Sequence, residues 1–413
     1  MHDKGFQPHR RPRRKTLPRP TASAAALSRH LLGFFCNIPD PRVERIRAHH
    51  LTDILMIAIL AVIAGARGWE DIENYGDSKQ HWLAQFLELP GGIPCADTFR
   101  RTFERIDPVA FEQSFRAWVQ TLVCSLGAQV IAIDGKTLKG SYERGTKTAA
   151  LQMVSAWASE HRLTLGQLKV SDKSNEITAI PALLEVLEVC GCIVTIDAMG
   201  TQTEIAGCIR KAKADYVLAL KANHPTLYQQ VKDWFAQAQA QQFVDIAHSY
   251  DQRVEAGHHR LERRQVWSVP VSALPKLHGA ADWQDLKSVV MVVRERRLWN
   301  KTTREVQFYL SSLLSEARVL GQAIRRHWGI ENALHWRLDV SFGEDACRIR
   351  TGHAPQNLSL LRRLALNALG QEQSCRRSTR QKSNRAAMDD NYMLTVLIAC
   401  LPEAGSKNEP VCQ

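Results

Sequence analysis

The 413-residue chain lacks the marks of several protein classes. Its ten cysteines, at positions 36, 95, 124, 190, 192, 208, 347, 375, 400 and 412, contain no Cys-x-x-Cys pair. That scatter excludes a zinc ribbon or a disulfide framework and suits inert thiols in a reducing compartment. No Gly-x-Gly-x-x-Gly follows a strand-like run, which disfavours a dinucleotide-binding oxidoreductase. The apolar run Ile54–Ala66 has 13 residues, short of the roughly 18 needed to cross a bilayer, and reads as a buried helix. The basic N-terminus leads into Pro-rich and Ala-rich sequence rather than a compact apolar core with a cleavage site, so it does not read as a signal peptide. No internal repeat is visible. With 45% apolar and 23% charged residues the chain is neither collagen-like nor wholly disordered, and its length suits two or three domains.

Acidic residues are the scarcer charge, 42 against 54 Lys plus Arg, for a net charge of +12. Residues 1–30 carry eight Lys/Arg and one Asp, so seven of those twelve charges sit there. A basic balance favours a polyanionic partner, nucleic acid first. Residues 1–26 read as a basic disordered arm built around Arg10-Arg11-Pro12-Arg13-Arg14-Lys15, suited to salt-sensitive contact with DNA.

Residues 27–120 read as a small all-α domain. Thr52 or Asp53 is placed to cap the apolar helix, and Ala96-Asp97-Thr98 opens another. Near residue 129 the pattern turns to short apolar runs: Val130–Ile133, Ile193–Ile196 and Tyr216–Leu220. Leu151–Ala158 and Leu163–Val170 flank a polar turn and predict a β-hairpin. Ile177, Ile180, Leu184 and Leu187 have helical spacing, with Pro181 tolerable in a first turn. The order strand, hairpin, helix, strand, helix, strand predicts a mixed α/β sheet with flanking helices. A β-rich insertion spans about 223–315, a helix runs over 316–340, and the polar, basic stretch 371–390 reads as a mobile part of a C-terminal tail, 371–413.

Asp134 and Asp197 each follow directly on a predicted strand, the end at which ligands bind open α/β sheets. Two carboxylates there could share a hard divalent ion such as Mg²⁺. Each has a plain alternative as a turn residue, Asp134 through Asp134-Gly135. In the late helix Ala317, Leu320, Ile324, Trp328, Glu331, His335 and Leu338 form one stripe. Glu331 on a packing face is costly unless it is paired, with His335 for instance, or coordinates a metal. On the same stripe Trp328 reads as core, with base stacking the other reading for Trp328 and Trp336. Three acids from two strands and a late helix have the layout of an RNase H-like core, in which two metals activate a nucleophile and stabilise a leaving oxygen.

Specific segments carry a likeness to a known family. They are Ile133-Asp134-Gly135-Lys136-Thr137-Leu138-Lys139-Gly140-Ser141, Lys173-Ser174-Asn175-Glu176-Ile177, Thr195-Ile196-Asp197-Ala198-Met199-Gly200, Asp215–Lys221, and His327-Trp328-Gly329-Ile330-Glu331-Asn332. The chain resembles the H-repeat-associated insertion-sequence transposases of the DDE transposase superfamily, from about residue 30 to about 370. The resemblance implies an RNase H-like catalytic domain over 127–370, preceded by the family's associated helical domain. It implies Asp134, Asp197 and Glu331 as a catalytic, metal-binding triad for two Mg²⁺ ions, with Mn²⁺ able to substitute. It also implies cleavage of double-stranded DNA at the ends of an insertion element and transfer of the freed 3′-OH to target DNA. A homodimer or multimer in a synaptic complex follows by the same likeness, in the bacterial cytosol near the nucleoid, with no membrane. A catalytically inactive DNA-binding relic and a metal-dependent nuclease without joining activity are the competing readings.

Many relatives carry a Tyr and an Arg before the Glu and a Lys after it. The matching positions here are Ile324, His327 and Leu338, which leaves Arg325 or Arg326 as substitutes. Lys136, Lys139, Lys221, Arg325, Arg326 and His327 are the candidate DNA contacts, each readable equally as a surface residue. His258-His259-Arg260 with Arg263-Arg264 is either a backbone-tracking cluster or a solvated face. Asp339, Glu344 and Asp345 read as a solvated acidic turn or as alternative ligands.

Overall fold

The computed structural model describes residues 24–123, 127, 129–142, 149–170, 175–257 and 260–401. Most of the basic arm, Lys173-Ser174, His258-His259 and residues 402–413 lie outside them. The chain begins with five helices, α1 (Ala24–Gly33), α2 (Leu51–Ile63), α3 (Trp69–Leu83), α4 (Ala96–Phe103) and α5 (Pro108–Leu122). Every residue of α2 from Asp53 to Ile63 is buried, as an all-apolar helix must be. His50, not Thr52 or Asp53, stands at its N-cap, and Asp53 instead accepts the Leu89 N–H at 3.0 Å.

Next come β1 (Val130–Leu138), β2 (Leu151–Ala158), β3 (Leu163–Lys169), α6 (Glu176–Glu185), β4 (Ile193–Ile196), α7 (Thr203–Lys211) and β5 (Asp215–Leu220). The hairpin expected from the apolar runs is β2–β3, antiparallel, and β1 pairs antiparallel with β2. β1 and β4 run parallel, as do β4 and β5. Pro181 lies inside α6, because Asn175 caps the helix a turn earlier than the proline suggested by accepting the Ile177 N–H. The stretch after β5 supplies α8 (Pro225–Ala240), β6 (Ser249–Gly257), β7 (Arg260–Pro270), β8 (Ser288–Leu298) and β9 (Thr302–Ser311). These strands build no second sheet: β9 pairs with β5, giving one sheet in the order β3-β2-β1-β4-β5-β9-β8-β7-β6 among the described residues.

The late helix is not continuous. It divides into α9 (Ala317–Gly329), a π-helical turn (Ile330–His335) and α10 (Trp336–Phe342). A π turn carries an extra residue, and each residue turns a helical face by roughly 100°. The inward positions therefore become Ile330, Leu334 and Leu338. Trp328 is 44% exposed, against the expectation that it belongs to the core, and Glu331 is exposed at the mouth of a cavity.

The chain ends in α11 (Ala354–Gln371), α12 (Thr379–Met388) and α13 (Asp390–Ile398). The stretch 371–390, read as mobile, is instead half of this helical packing. Tyr392, Met393 and Val396 are fully buried, and α11 packs on α2 and α5. Polar ties hold α12: Ser383 Oγ donates to the Ile63 carbonyl at 2.8 Å, and the Lys382 ammonium caps the Leu369 carbonyl at 3.0 Å. A basic side chain at a helix C-terminus is favoured by the dipole there. The N-terminal and C-terminal helices thus share one apolar core with the sheet.

Lys136 and Glu344 are buried as partners. The Lys136 ammonium binds Asp339 and lies 3.1 Å from Glu344 and 3.4 Å from Asp345. Glu344 is paired on its other side with the fully buried Arg363, at 3.0 Å. The solvated acidic turn expected at 339–345 is therefore an ionic clamp between β1 and α11. Complete burial alone would raise the Glu344 carboxyl, but Arg363, Lys136 and Arg362 outweigh it and hold it at about 2.

Glu344→Gln leaves Arg363 and Lys136 buried with too little counter-charge, and should cost about 3–5 kcal/mol at pH 7. The folded value lies below the ordinary 4.5, so this contribution is complete above that pH and is lost as pH falls towards 2. Urea unfolding of wild type and variant should show the gap closing on acidification. A gap independent of pH would contradict the assignment.

Candidate active site

The parallel ladder between β1 and β4 ends with Ile133 opposite Ile196. The next residue on each strand is the acid, so Asp134 and Asp197 stand on adjacent strands at the same level. β1 itself does not end there but runs on to Leu138 against β2. Side chains alternate along a strand. Val130 and Asp134 share one face of β1, as Thr195 and Asp197 share one face of β4, and α9 covers that face through Ala317, Leu320, Ala323 and Ile324. The π turn then delivers Glu331 to the same place. All three acids line one cavity of about 310 Å³, together with Thr195, Ala219, Lys221, Tyr309, Ile324, His327 and Trp328.

Local hydrogen bonds hold the acids. Asp134 Oδ1 accepts the Gly135 N–H at 2.9 Å, and Asp197 Oδ1 accepts the Met199 N–H at 3.1 Å. Buried Thr201 donates to the carbonyls of Asp197, at 2.9 Å, and Ala219, at 2.8 Å, tying the ends of β4 and β5 together. His335, one turn beyond Glu331, is 5% exposed. Its Nδ1 lies 2.9 Å from Glu331 Oε2 and 3.6 Å from Asp134 Oδ2. An N–H at that nitrogen donates to Glu331, with the Asp134 carboxylate just beyond hydrogen-bond reach. Nε2 then stays buried without a partner among the described residues. The Glu331–His335 pair weighed from the sequence is therefore present, and it sits inside the acidic site. One ligand atom from each of Asp134, Glu331 and His335 lies within 4.8 Å of the others, close enough to hold one ion.

The charges are under strain. Burial raises the Asp134 carboxyl to about 6, with Asp197 and Glu331 pushing the same way and His335 opposing. Glu331 lies below its ordinary value because His335 donates to it. Burial lowers His327, whose Nδ1 lies 3.0 Å from Thr195 Oγ1.

The basic candidates divide. Lys221 is exposed and lines the cavity, and His327 lines its wall. Lys136 is a correction: its ammonium is buried among Asp339, Glu344 and Asp345 and is not presented to a phosphate. Lys139 is exposed beside Asp345 at 3.0 Å. Arg325 pairs with Glu255 at 2.6 Å and Arg326 with Glu160 at 2.6 Å, both at the surface. The Arg294 guanidinium lies 5.9 Å from the ring centre of Trp328. Glu176 carries no role in the sequence reading, although it stands in the quoted Asn175-Glu176 segment. Its carboxylate lies against Gly135, and burial, then Asp197, raise it.

A family model described as Transposase DDE domain matches residues 125–368, and one described as DDE_Tnp_1-associated matches residues 32–119. The chain is 38% identical over 366 residues to YhhI of Escherichia coli K12, described as a candidate transposase associated with H repeats, covering 87% of this chain and 95% of that one. It is 37% identical over 378 residues to YncI of Escherichia coli O157:H7, described as a candidate transposase, covering 90% and 95%. Among solved structures, a piggyBac transposase synaptic complex with hairpin DNA, determined by cryo-EM, aligns with a TM-score of 0.37 and 10% identity over 92% of this chain and 80% of that one. A likeness that loose supports nothing further.

A carboxyl raised from 3.8 to about 6 costs the ion-free fold stability at neutral pH. Asp134→Asn should therefore raise the stability of the metal-free protein at pH 7.5 by about 1–3 kcal/mol. Between those two values the folded protein binds more protons than the unfolded chain. The gain should fade as pH drops through 6 and vanish below about 4. Thermal melts in chelator at pH 4 and 7.5 measure it; an equal gain at both would refute the charge-strain account.

Proposed function

The chain belongs to the DDE transposase family, and from that premise we propose that Asp134, Asp197 and Glu331 are the carboxylates with which it cuts DNA at the ends of an insertion element and joins them to target DNA. The family's chemistry is DNA-cleaving phosphoryl transfer. The observation that carries the assignment is the meeting of three acids, from β1, β4 and the π turn, in one cavity. The pressure on Asp134 supports it, since a bound cation would relieve that carboxylate.

Their oxygens, with one imidazole nitrogen nearby, fit a hard divalent ion, Mg²⁺ or Mn²⁺. Asp134, Asp197 and Glu331 would together hold such ions in the cavity they line. Bound there, such ions lower the pKa of water and neutralise the charge on attacking and leaving oxygens. The protein's own part is to fix these acids on a rigid sheet end and hold the DNA backbone against them. Lys221 at the cavity and His327 in its wall would meet the scissile and flanking phosphates. His335 would remain on Glu331, orienting it.

The substrate is double-stranded DNA, and joining two ends calls for a homodimer or larger synaptic assembly working in the cytosol beside the nucleoid. Among the described residues no helix is long and apolar enough to cross a membrane. The presence of all three acids favours an enzyme over an inactive relic.

The test is a cleavage and strand-transfer assay on labelled duplex made from the DNA flanking the chain's coding sequence. With Mg²⁺ the wild type should release a 3′-OH end and join it to plasmid. Asp134→Ala, Asp197→Ala and Glu331→Ala should each lose roughly a thousandfold or more in rate, about 4 kcal/mol of transition-state stabilisation. Equal activity in all four proteins would end the proposal. Cleavage without joining would leave a nuclease.

A further inference from the structure

We propose that Glu176 is a fourth carboxylate of the metal centre, reaching it from the opposite face of the sheet across the gap that Gly135 leaves. This rests on the three-acid reading above and extends it.

The argument begins with strand parity. Asp134 faces α9, so Gly135 faces the other layer. That layer contains α6: Ile131, Ile133, Val194 and Ile196 pack in one core with Ile180, Leu183 and Leu184 of α6. Ile196 and Ile180 also close on the same point, since a Cβ on Gly200 would strike both. Glu176 opens this helix, set by the Asn175 cap. Its carboxylate occupies the space a side chain at position 135 would fill, and a Cβ built on Gly135 overlaps it. Gly135 needs no left-handed backbone, as its φ is not positive. The glycine is required there by the carboxylate above it, not by a turn. An acid on the far side of the sheet thus comes up against Gly135, the residue after Asp134, where the parallel ladder has ended, and near enough to Asp197 to be raised by it.

Glu176 has no other employment. Among the described residues its carboxylate makes no hydrogen bond or ion pair, although the residue is half-buried. An acid left without a partner in such a place is costly unless a cation arrives. The charge count agrees. Asp134, Asp197 and Glu331 supply three negative charges, whereas two divalent ions bring four positive ones. Glu176 makes the sum even, either as a direct ligand or by holding a water of the ion on the Asp197 side.

The test is Mn²⁺ binding to the full chain without DNA, followed by the EPR signal of the free ion. Wild type should bind two ions. Glu176→Gln should weaken one of them about ten- to a hundredfold, the loss expected when a metal ligand's support is removed. Gly135→Ala should do the same with Glu176 intact, because the methyl group evicts the carboxylate, whose long side chain can swing aside without unfolding the strand. The double variant should be no worse than either single one, as expected for two changes acting on one contact. Asp134→Asn is the control and should lose both ions. If Glu176→Gln and Gly135→Ala both bind like wild type while Asp134→Asn does not, Glu176 is no part of the centre and the three-acid site stands alone. If Asp134→Asn also binds like wild type, the three-acid reading itself fails, and this inference with it.

Discussion

Two parallel strands held in register, Ile133 against Ile196, impose the condition from which the site follows. The register sets Asp134 and Asp197 side by side on one face. Adjacent strands lie about 5 Å apart, near enough for two such carboxylates to repel. Neither acid can retreat without breaking the ladder, and burial of Asp134, with smaller contributions from Asp197 and Glu331, pushes its carboxyl up to about 6. Relief has to come from a positive group. In the ion-free protein His335 donates to Glu331 at 2.9 Å and stands 3.6 Å from Asp134, opposing the rise there. A divalent cation would supply more, and the site is built so that binding one releases strain already present.

The same strand serves stability two residues later. Lys136 shares its face with Asp134 but drives its ammonium into Asp339 and Glu344, against α10 and the buried Arg363 of α11. This clamp fixes α10, and α10 continues directly from the π turn that carries Glu331. A balanced buried ionic cluster thus holds the frame on which an unbalanced one sits. The helices from both ends of the chain back this frame, with α2 enclosed by α3, α11 and α12.

Much of the fold was legible because strands and helices leave short-range marks. The hairpin at 151–169 and the helix opened by Ala96-Asp97-Thr98 follow from alternation, turn residues or caps within a few positions. The failures share one cause. Trp328 and Glu331 were placed on a packing stripe by assuming 3.6 residues per turn throughout, and a π turn shifts the phase with no mark in composition. Lys136 and Glu344 looked like surface charges because each is made buriable by a partner about 200 residues away or on another element. The stretch 371–390 looked mobile for its Lys and Arg content, yet Lys382 is spent on the end of α11 and the apolar residues that anchor the region lie just beyond it, at Tyr392 to Val396.

The amino-acid sequence alone determined the kinds of element, their order, the basic surplus and which acids follow the apolar strand runs, since each depends on neighbours within a turn or two. It also carried the family likeness. Tertiary structure alone decided which charges are buried and satisfied, that β6–β9 extend the one sheet, and that the Glu176 carboxylate lies against Gly135. Those outcomes depend on pairing energies between residues distant along the chain, and a charge reveals its cost or its use only once the partner that answers it, or fails to, is in contact.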